Sequence, residues 1–518
     1  MYMNIIEELM QLQDGELALK SQSLLSDCEG TQRRVLGDIL HEAESTEFGK
    51  EHDFAGISSL ADYRQRVPLS EWNDYITYSE RMKNGEPDLT FRGKALSFNI
   101  SAGTTSAQCK YIPVSTLQSR SFKLVERMRQ IRYFVAEPQL MQGMLMPLFN
   151  APECETTSAG IPAGHASGMT VQRSAIKDKM AFPMSIFQIS DHQERDYQMM
   201  LSAIRHRNVF VIAGNNAGRM TELVRLARQR RVDIISDLER IDPERADELR
   251  GMKDFTPAEY WKDLKLGLFW LSASVGKYAE ELRPLLPKTT RLMDVGYGSS
   301  EAKFNIPLNP EETSGVLSTA TAFYEFIPEE GGSPLLAHET EVGKNYELVI
   351  TTWGGLYRYN MKDIVRVTGF VGNTPLIEFL YKSIEVLNMV DEKLPASVVC
   401  DIVRQYFTEK GTPIRQMQIY QDIQERRYQC YIEPIEGSVA TDARTQQAVD
   451  RLLTSRLYGY DLFRNQSHLL EPIHIKEMKP GWQQWLYQKA IRRRGLTNTQ
   501  VKLSLIAKES QEEWVRIS

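Results

Sequence analysis

Ser101-Ala102-Gly103-Thr104-Thr105-Ser106-Ala107-Gln108-Cys109-Lys110 follows an apolar run at residues 96–100. A strand that opens into small hydroxyl residues around a glycine supplies N–H and O–H donors for phosphate oxygens, and Lys110 adds positive charge. Alone, the same segment also reads as a Ser/Thr surface loop. Two later stretches carry related chemistry. Tyr297-Gly298-Ser299-Ser300-Glu301 combines an aromatic ring, a tight turn, hydroxyls and a carboxylate. These could pack on a base, let backbone approach, touch a phosphate and hold Mg²⁺. Alone, this stretch reads equally as a turn capping a helix. Tyr357-Arg358-Tyr359-Asn360-Met361-Lys362-Asp363-Ile364-Val365 puts an aspartate on a β-rich segment. Its two oxygens suit two ribose hydroxyls. By itself the segment is an exposed strand with a satisfied charge.

Outward from the first stretch, short apolar strands alternate with helices. The strands are expected at residues 96–100, 141–146, 208–212, 232–235 and 264–271, with helices at 115–131 and 222–230. Such alternation implies a substantially parallel sheet covered by helices. The first 50 residues read as helical, with Thr31 as the N-cap of a second helix. After about residue 312 the chain turns rich in Val, Ile, Thr and Tyr between glycines and prolines. Antiparallel strands are expected at 316–327, 346–351, 357–359 and 364–371. Past 390 a shorter pattern follows: helices at 396–408 and 443–457, strands at 416–420, 428–433 and 473–478. The fold class is therefore α/β. A large N-terminal domain (1–390) holds mixed β-sheets and helices with a β-rich subdomain, and a small α+β domain (391–518) follows.

Composition narrows the function. The 518 residues are 42% hydrophobic and 25% charged, with a net charge of −6. That composition is globular, and the acidic balance disfavours nucleic acid as the main partner. Five scattered cysteines without a C-x-x-C fit a reducing compartment rather than a disulfide framework or a cysteine zinc site. No apolar stretch approaches the roughly 20 residues needed to span a bilayer. The N-terminus lacks a secretory pattern. A cytoplasmic protein without membrane partners is expected. No Walker A motif and no G-x-S-x-G elbow occur. Gly296–Glu301 fails as a dinucleotide fingerprint because Glu301 replaces the last glycine.

In this order, the three stretches resemble the adenylate-forming enzymes, and most closely the Gretchen Hagen 3 family of acyl acid amido synthetases. That family carries a Ser-Ser-Gly-Thr-Thr-type loop, a Tyr-x-Ser-Ser-Glu motif and a Tyr-Arg-Tyr-x-x-Gly-Asp-Val-Val-type motif. Supporting likenesses are Thr46-Glu47-Phe48-Gly49, Val67-Pro68-Leu69, Gly85-Glu86, Tyr324-Glu325-Phe326-Ile327-Pro328, Val386-Leu387-Asn388, Glu392-Lys393-Leu394 and Gln500-Val501-Lys502. The chain departs from the pattern at Ala102 (usually serine), Ala107 (often glycine), Lys362 (usually glycine) and Lys382 (in many members arginine).

The resemblance implies a two-step reaction. ATP adenylates a carboxylic acid, releasing pyrophosphate, and an amine, usually an amino acid, then displaces AMP. It also implies roles. Ser101, Thr104 and Thr105 cradle phosphate oxygens. Tyr297 lies by the adenine, and Ser299 and Ser300 belong to the nucleotide site, with Ser300 near the α-phosphate. Glu301 coordinates Mg²⁺, and Asp363 holds the ribose. Lys393 in the linker and Lys502 in the small domain reach the reacting carboxylate or α-phosphate. Domain rotation would separate the two half-reactions. The acid pocket is expected along the helix at 117–131 and the run at 141–149, residues that read equally as simple core. Two alternatives stay open: acyl transfer to a thiol of coenzyme A or a carrier protein, and a non-catalytic nucleotide- or acid-binding relative.

Overall fold

The computed structural model describes residues 3–102, 109–131, 137–148, 155–166, 168–169, 178–215, 217–272, 277–309, 312–383, 385–387, 389, 394–466, 470–494 and 503–516. The chain divides into two compact units. One comprises residues 1–101 and 110–380, the other residues 102–109 and 381–518.

In the larger unit the βα alternation gives a four-stranded parallel sheet of Met144–Leu148, Val209–Gly214, Leu266–Phe269 and Arg291–Asp294. The helices His192–Arg205 and Gly218–Gln229 contribute Met200, Ile204, Leu223 and Val224 to its core. The strand expected at 232–235 is instead part of the helix Arg231–Glu239. Ile234 and Leu238 fall four residues apart and are buried, whereas Val232 points to solvent. The apolar cluster thus follows helical rather than strand period. Near the N-terminus, Thr31 is not a cap. Asp27 caps the helix Cys28–Ala43 through the Gly30 N–H, and Thr31 is buried one turn inside.

The β-rich region is a seven-stranded sheet. Its strands Phe323–Pro328, Asn345–Thr351 and Tyr359–Val371 pair antiparallel. Thr374–Lys382, which the sequence reading does not anticipate, extends the sheet after the two-residue turn Gly372-Asn373. The N-terminal helices pack on this sheet in one shared core with Val35, Ile39, Tyr63, Tyr324 and Leu348. Two polar clasps fix the seam. Gln32 donates to the carbonyls of Thr319 and Ala322 and accepts from the Tyr324 N–H. Arg358 grips Glu325 with two donors (2.8 and 3.2 Å) and reaches the carbonyls of Arg64 and Val67. Glu325 is 1% exposed and also receives Arg64 at 2.8 Å.

A bulge interrupts the strand Tyr359–Val371. Asn360 faces Val349 and Ile364 faces Glu347, so three residues of one strand oppose the single Leu348 of the other. Lys362 sits in this bulge with φ +53°, in the left-handed region that favours glycine. That is the physical reason a glycine suits the position. Here the Asn360 side chain accepts the Lys362 N–H at 2.9 Å, and the Lys362 amine pairs with Glu71 at 2.9 Å. The bulge sets the direction of the next residue, Asp363.

The smaller unit has its own core around Val399, Val403, Ile419, Ile432 and Leu453. Its four-stranded sheet joins Ile414–Asp422 to Arg427–Pro434 antiparallel and adds His474–Glu477 and Ile506–Ala507 in parallel. The helices Ala396–Glu409 and Ala443–Arg456 stand where periodicity puts them, and Trp482–Arg494 is a further helix that the reading does not identify.

Two outcomes follow for stability. Arg358→Met leaves the Glu325 carboxylate buried with Arg64 as its remaining partner, and should cost about 3–5 kcal/mol in urea unfolding. Adding Glu325→Leu should restore part of that loss, because the uncompensated charge is then gone. At the bulge, Lys362→Gly should leave stability within about 0.5 kcal/mol of the parent, relief of the left-handed backbone offsetting the lost surface pair. Lys362→Val should destabilise by about 1–2 kcal/mol.

Candidate functional site

Tyr297 to Phe304 form a hairpin. The Phe304 N–H donates to the Tyr297 carbonyl at 3.0 Å, and the Ser299 N–H to the Ala302 carbonyl at 2.8 Å. The Ser299 hydroxyl accepts the N–H groups of Glu301 and Ala302 and so stabilises the turn itself. The base of the hairpin is held by Arg129 from the helix Thr116–Gln130. Its guanidinium donates to the carbonyls of Tyr297 (3.1 Å) and Asn305 (2.6 Å). Gly296, at φ +87°, passes so close beneath that a Cβ would lie 2.5 Å from the Arg129 Nη2. Asn305 closes the base by accepting the Tyr297 N–H and donating to the Ile377 carbonyl.

Three hydrogen bonds tie the three sequence stretches together. Asn99, just before the first loop, donates to the Ser300 carbonyl at 2.9 Å. Lys110, just after it, donates to the Tyr359 hydroxyl at 3.1 Å. The Tyr297 hydroxyl donates to the Asp363 Oδ2. Tyr297 is buried, its ring stacked on Phe304 (centroids 4.3 Å apart) and on Phe379 (5.1 Å). Burial, reinforced by the Asp363 carboxylate, pushes its phenol well above the ordinary value, so it stays a donor. Burial likewise raises Tyr359, with Glu301 and Asp363 contributing their negative charge.

Glu301 is only 8% exposed, yet none of the described residues donates to its carboxylate or pairs with it. Its backbone is fixed instead, the Gln118 side chain donating to its carbonyl at 3.1 Å. A shielded carboxylate without a partner among the described residues fits a cation. Among the described residues no group of three or more His, Cys, Asp or Glu could hold a metal ion. The donor set therefore fits Mg²⁺ held by one carboxylate together with phosphate oxygens, as this ion is commonly bound. The Ser300 hydroxyl also makes no hydrogen bond among the described residues.

Of the residues expected from sequence, Tyr297, Ser299, Ser300, Glu301 and Asp363 meet in this region. Ser101 is described only as part of the strand Ser97–Ala102, and Thr104, Thr105, Lys393 and Lys502 lie outside the described residues. Among the expected acid-pocket residues, Leu124, Met146 and Leu148 are core. Sequence reasoning missed Asn99, Gln118, Arg129, Asn305, Asp294 and His165. Asp294 accepts the N–H groups of Leu271 (2.7 Å) and Gly296 (2.6 Å), and burial pushes its carboxyl up to about 6. His165 follows Gly164, whose strand pairs with Asn99, and it hydrogen-bonds the backbone of Ile100. Burial holds its imidazole down to about 4.

These shifts give a signed pH dependence. An unfolded histidine binds its proton near 6.5, whereas folded His165 resists until about 4. Its contribution to stability is therefore lost as pH falls through that window. Asp294 works in the opposite sense, its stabilisation growing as pH falls from about 6 towards 3.8. Replacing His165 by Gln should therefore shrink the loss of thermal stability between pH 7 and pH 5 relative to the parent chain.

Among known proteins, residues 20–291, more than half of the chain, match the GH3 family N-terminal domain, and residues 315–382 match the GH3 family central domain. An indole-3-acetic acid-amido synthetase of Arabidopsis thaliana is 25% identical over 446 residues, covering 76% of this chain and 74% of its own. A jasmonoyl-L-amino acid synthetase of Nicotiana attenuata is 24% identical over 446 residues, covering 75% of each. The 4-substituted benzoates-glutamate ligase of Arabidopsis thaliana is 25% identical over 419 residues, covering 72% of each. In structure, the GH3.15 acyl acid amido synthetase matches with a TM-score of 0.83 at 20% identity, over 98% of this chain and 96% of that one. A 2-hydroxyisobutyryl-CoA ligase in the postadenylation state matches with a TM-score of 0.54 at 11% identity, over 92% and 89%. These two share the fold. With two of its domain types matched in order, and the stretches that carry the resemblance gathered in one place, the chain belongs to the GH3 family.

Proposed function

We propose that this chain is an ATP-dependent acyl acid amido synthetase, which adenylates a carboxylic acid and passes the acyl group to an amine, in the first place an amino acid. The observation that carries the reading is the convergence of the three stretches through Asn99–Ser300, Lys110–Tyr359 and Tyr297–Asp363. Family membership adds the reaction type. The named relatives act on indole-3-acetic acid, jasmonic acid and 4-substituted benzoates, so the substrate class is a small organic acid.

A carboxylate is a poor electrophile, and its mixed anhydride with AMP supplies a good leaving group. The protein's task is then positioning and charge stabilisation. Asp363 accepts from the ribose hydroxyls. The Ser300 hydroxyl, unused by the described residues, donates to an α-phosphate oxygen. Ser101, Thr104 and Thr105 receive the phosphates, and Ser299 keeps the turn that presents its neighbours. Glu301 holds Mg²⁺, which when bound neutralises phosphate charge. Lys393 and Lys502 supply positive charge to the reacting carboxylate and α-phosphate. Among the described residues no helix is long and apolar enough to cross a membrane. Cys28, Cys400 and Cys430 are buried free thiols, which suits a cytoplasmic enzyme.

The test screens carboxylic acids for acid-dependent exchange of pyrophosphate into ATP, then identifies products by mass with pooled amino acids or with coenzyme A. Amide products support the reading, and thioesters would replace it with the thiol ligase. No exchange with any acid, alongside tight nucleotide binding, would favour a non-catalytic relative. Glu301→Gln should reduce exchange by about 10²–10³ while leaving nucleotide affinity within a few-fold. Full exchange with unaltered Mg²⁺ dependence would remove Glu301 from the metal role.

A further inference from the structure

Lys303 carries a positive charge that no described residue answers. It stands on the returning limb of the Tyr297–Phe304 hairpin, bridged to Gly298 on the outgoing one. Its stem lies across that glycine: a Cβ on Gly298 would stand 2.8 Å from the Lys303 Cδ and 3.5 Å from its Nζ. The residue is half-buried. No acid and no hydrogen-bond acceptor among the described residues pairs with its amine, Glu301 included. Burial holds the amine below the ordinary lysine value, Glu126 opposing this and Arg129 adding to it. Both neighbours come from the helix Thr116–Gln130, and they already pair with each other at 3.1 Å. The other donors of Arg129 go to the carbonyls of Tyr297 and Asn305. One carboxylate and two cations thus leave one positive charge over.

Neighbouring side chains on a hairpin limb point to opposite faces. Phe304 follows Lys303, and its ring stacks with Tyr297 on the side where the Tyr297 hydroxyl meets Asp363. That side is the one read above as receiving the ribose. Lys303 presents its stem on the other face, within the field of the helix expected to border the acid pocket. It stands two residues beyond Glu301, roughly 7 Å of extended chain. An anion met there belongs to a part of the acid several bonds from the reacting carboxyl, not to the nucleoside. A partly shielded ammonium gains most from a carboxylate, which replaces lost water with a charge-assisted hydrogen bond.

We propose that Lys303 is a specificity-determining residue whose ammonium receives a second carboxylate of the acid substrate, so that the chain adenylates dicarboxylic acids with well-separated carboxyl groups in preference to the matching monoacids. The inference rests on the amido synthetase reading above and names the class of acid within it. One carboxylate of such an acid attacks ATP. The distant one is held at Lys303 and does not react. A monoacid of the same length sets a methyl group against the ammonium, which removes water from the amine without replacing it.

Acid-dependent exchange of pyrophosphate into ATP tests this, because exchange needs no amine and so isolates the acid. Matched pairs serve as probes: hexanoate and adipate, octanoate and suberate, 4-methylbenzoate and terephthalate. Each is assayed with the parent chain, Lys303→Met and Lys303→Arg, all first checked by thermal unfolding and for ATP affinity. In at least one pair the parent should favour the diacid by about tenfold or more in kcat/KM, as one hydrogen bond between charged groups provides. Lys303→Met should remove that preference by raising KM for the diacid, with the monoacid kept within about twofold, and Lys303→Arg should retain most of it. A preference that survives in Lys303→Met places the selecting group elsewhere and overturns the proposal. Equal losses for both members of a pair mark a structural role and also overturn it. If Lys303→Met weakens ATP as much as the diacid, the lysine serves phosphate and the proposal falls. It falls too if exchange is unchanged with every acid while KM for the acceptor amino acid rises, because the lysine then belongs to the acceptor. Exchange confined to monoacids, in these pairs and in the wider screen above, overturns this inference alone and leaves the amido synthetase reading standing. Exchange with no acid at all removes that reading and this inference with it.

Discussion

A carboxylate at 1% exposure inside a β-sheet is the constraint around which the larger unit is arranged. A carboxylate as buried as that of Glu325 needs a hydrogen-bonded cation beside it, and Arg358 supplies one with a fork that a lysine could not copy. The same guanidinium reaches the carbonyls of Arg64 and Val67, so the helical N-terminal layer and the sheet share one cation. Arg358 also stands one residue before the strand that ends its bulge at Asp363. The pair therefore fixes the origin from which the register of that strand is counted. A shift there would move Tyr359 away from Lys110 and Asp363 away from Tyr297.

Beyond that anchor, the candidate site is built from backbone held by side chains. Asn99, Gln118 and Arg129 each donate to a carbonyl of the 297–305 segment, and none of these contacts requires a ligand. Rigid support of this kind leaves few polar groups of the hairpin uncommitted among the described residues, the Glu301 carboxylate and the Ser300 hydroxyl among them. Such a distribution is what electrostatic catalysis demands, because groups that need not reorganise when charge develops stabilise it most.

Much of the fold is legible in the sequence, and what is missed has a physical cause. Buried parallel strands announce themselves as apolar runs, which is why 144–148, 209–214 and 266–269 fall close to expectation. The same signal misleads at 232–235, since four residues are too few to separate a strand from one buried turn of helix. The turn Gly372-Asn373 carries a hairpin signal, and its neglect hides the strand Thr374–Lys382. In the site, the motif residues are legible because their order resembles a family. Their supports are not. Asn99 and Ser300, or Arg129 and Tyr297, are brought together only by the fold, and a lone polar residue in a strand or helix gives no sign of its distant partner. His165 illustrates this: its depressed pKa comes from burial, which no local pattern encodes.

Lys362 shows how a departure from a family pattern is to be weighed. A lysine beside the aspartate proposed above to hold the ribose suggests altered chemistry at the nucleotide. Its amine, however, pairs with Glu71 and lies 3.8 Å from Glu347, so its charge is answered by these two acids. The consequence falls on the backbone, where a side chain occupies a left-handed position at a cost of about 1 kcal/mol. Asn360, two residues earlier, offsets part of this by accepting the Lys362 N–H. The bulge thus keeps its shape without glycine, and what it delivers, the direction of Asp363, depends on the shape alone. Ala102 differs in kind, because an alanine lacks the hydroxyl of the serine usual in the family, and a change of side-chain chemistry is not answered by backbone shape. Of the two departures, the conspicuous lysine bears on folding, whereas the inconspicuous alanine bears on the phosphate role proposed above for its loop.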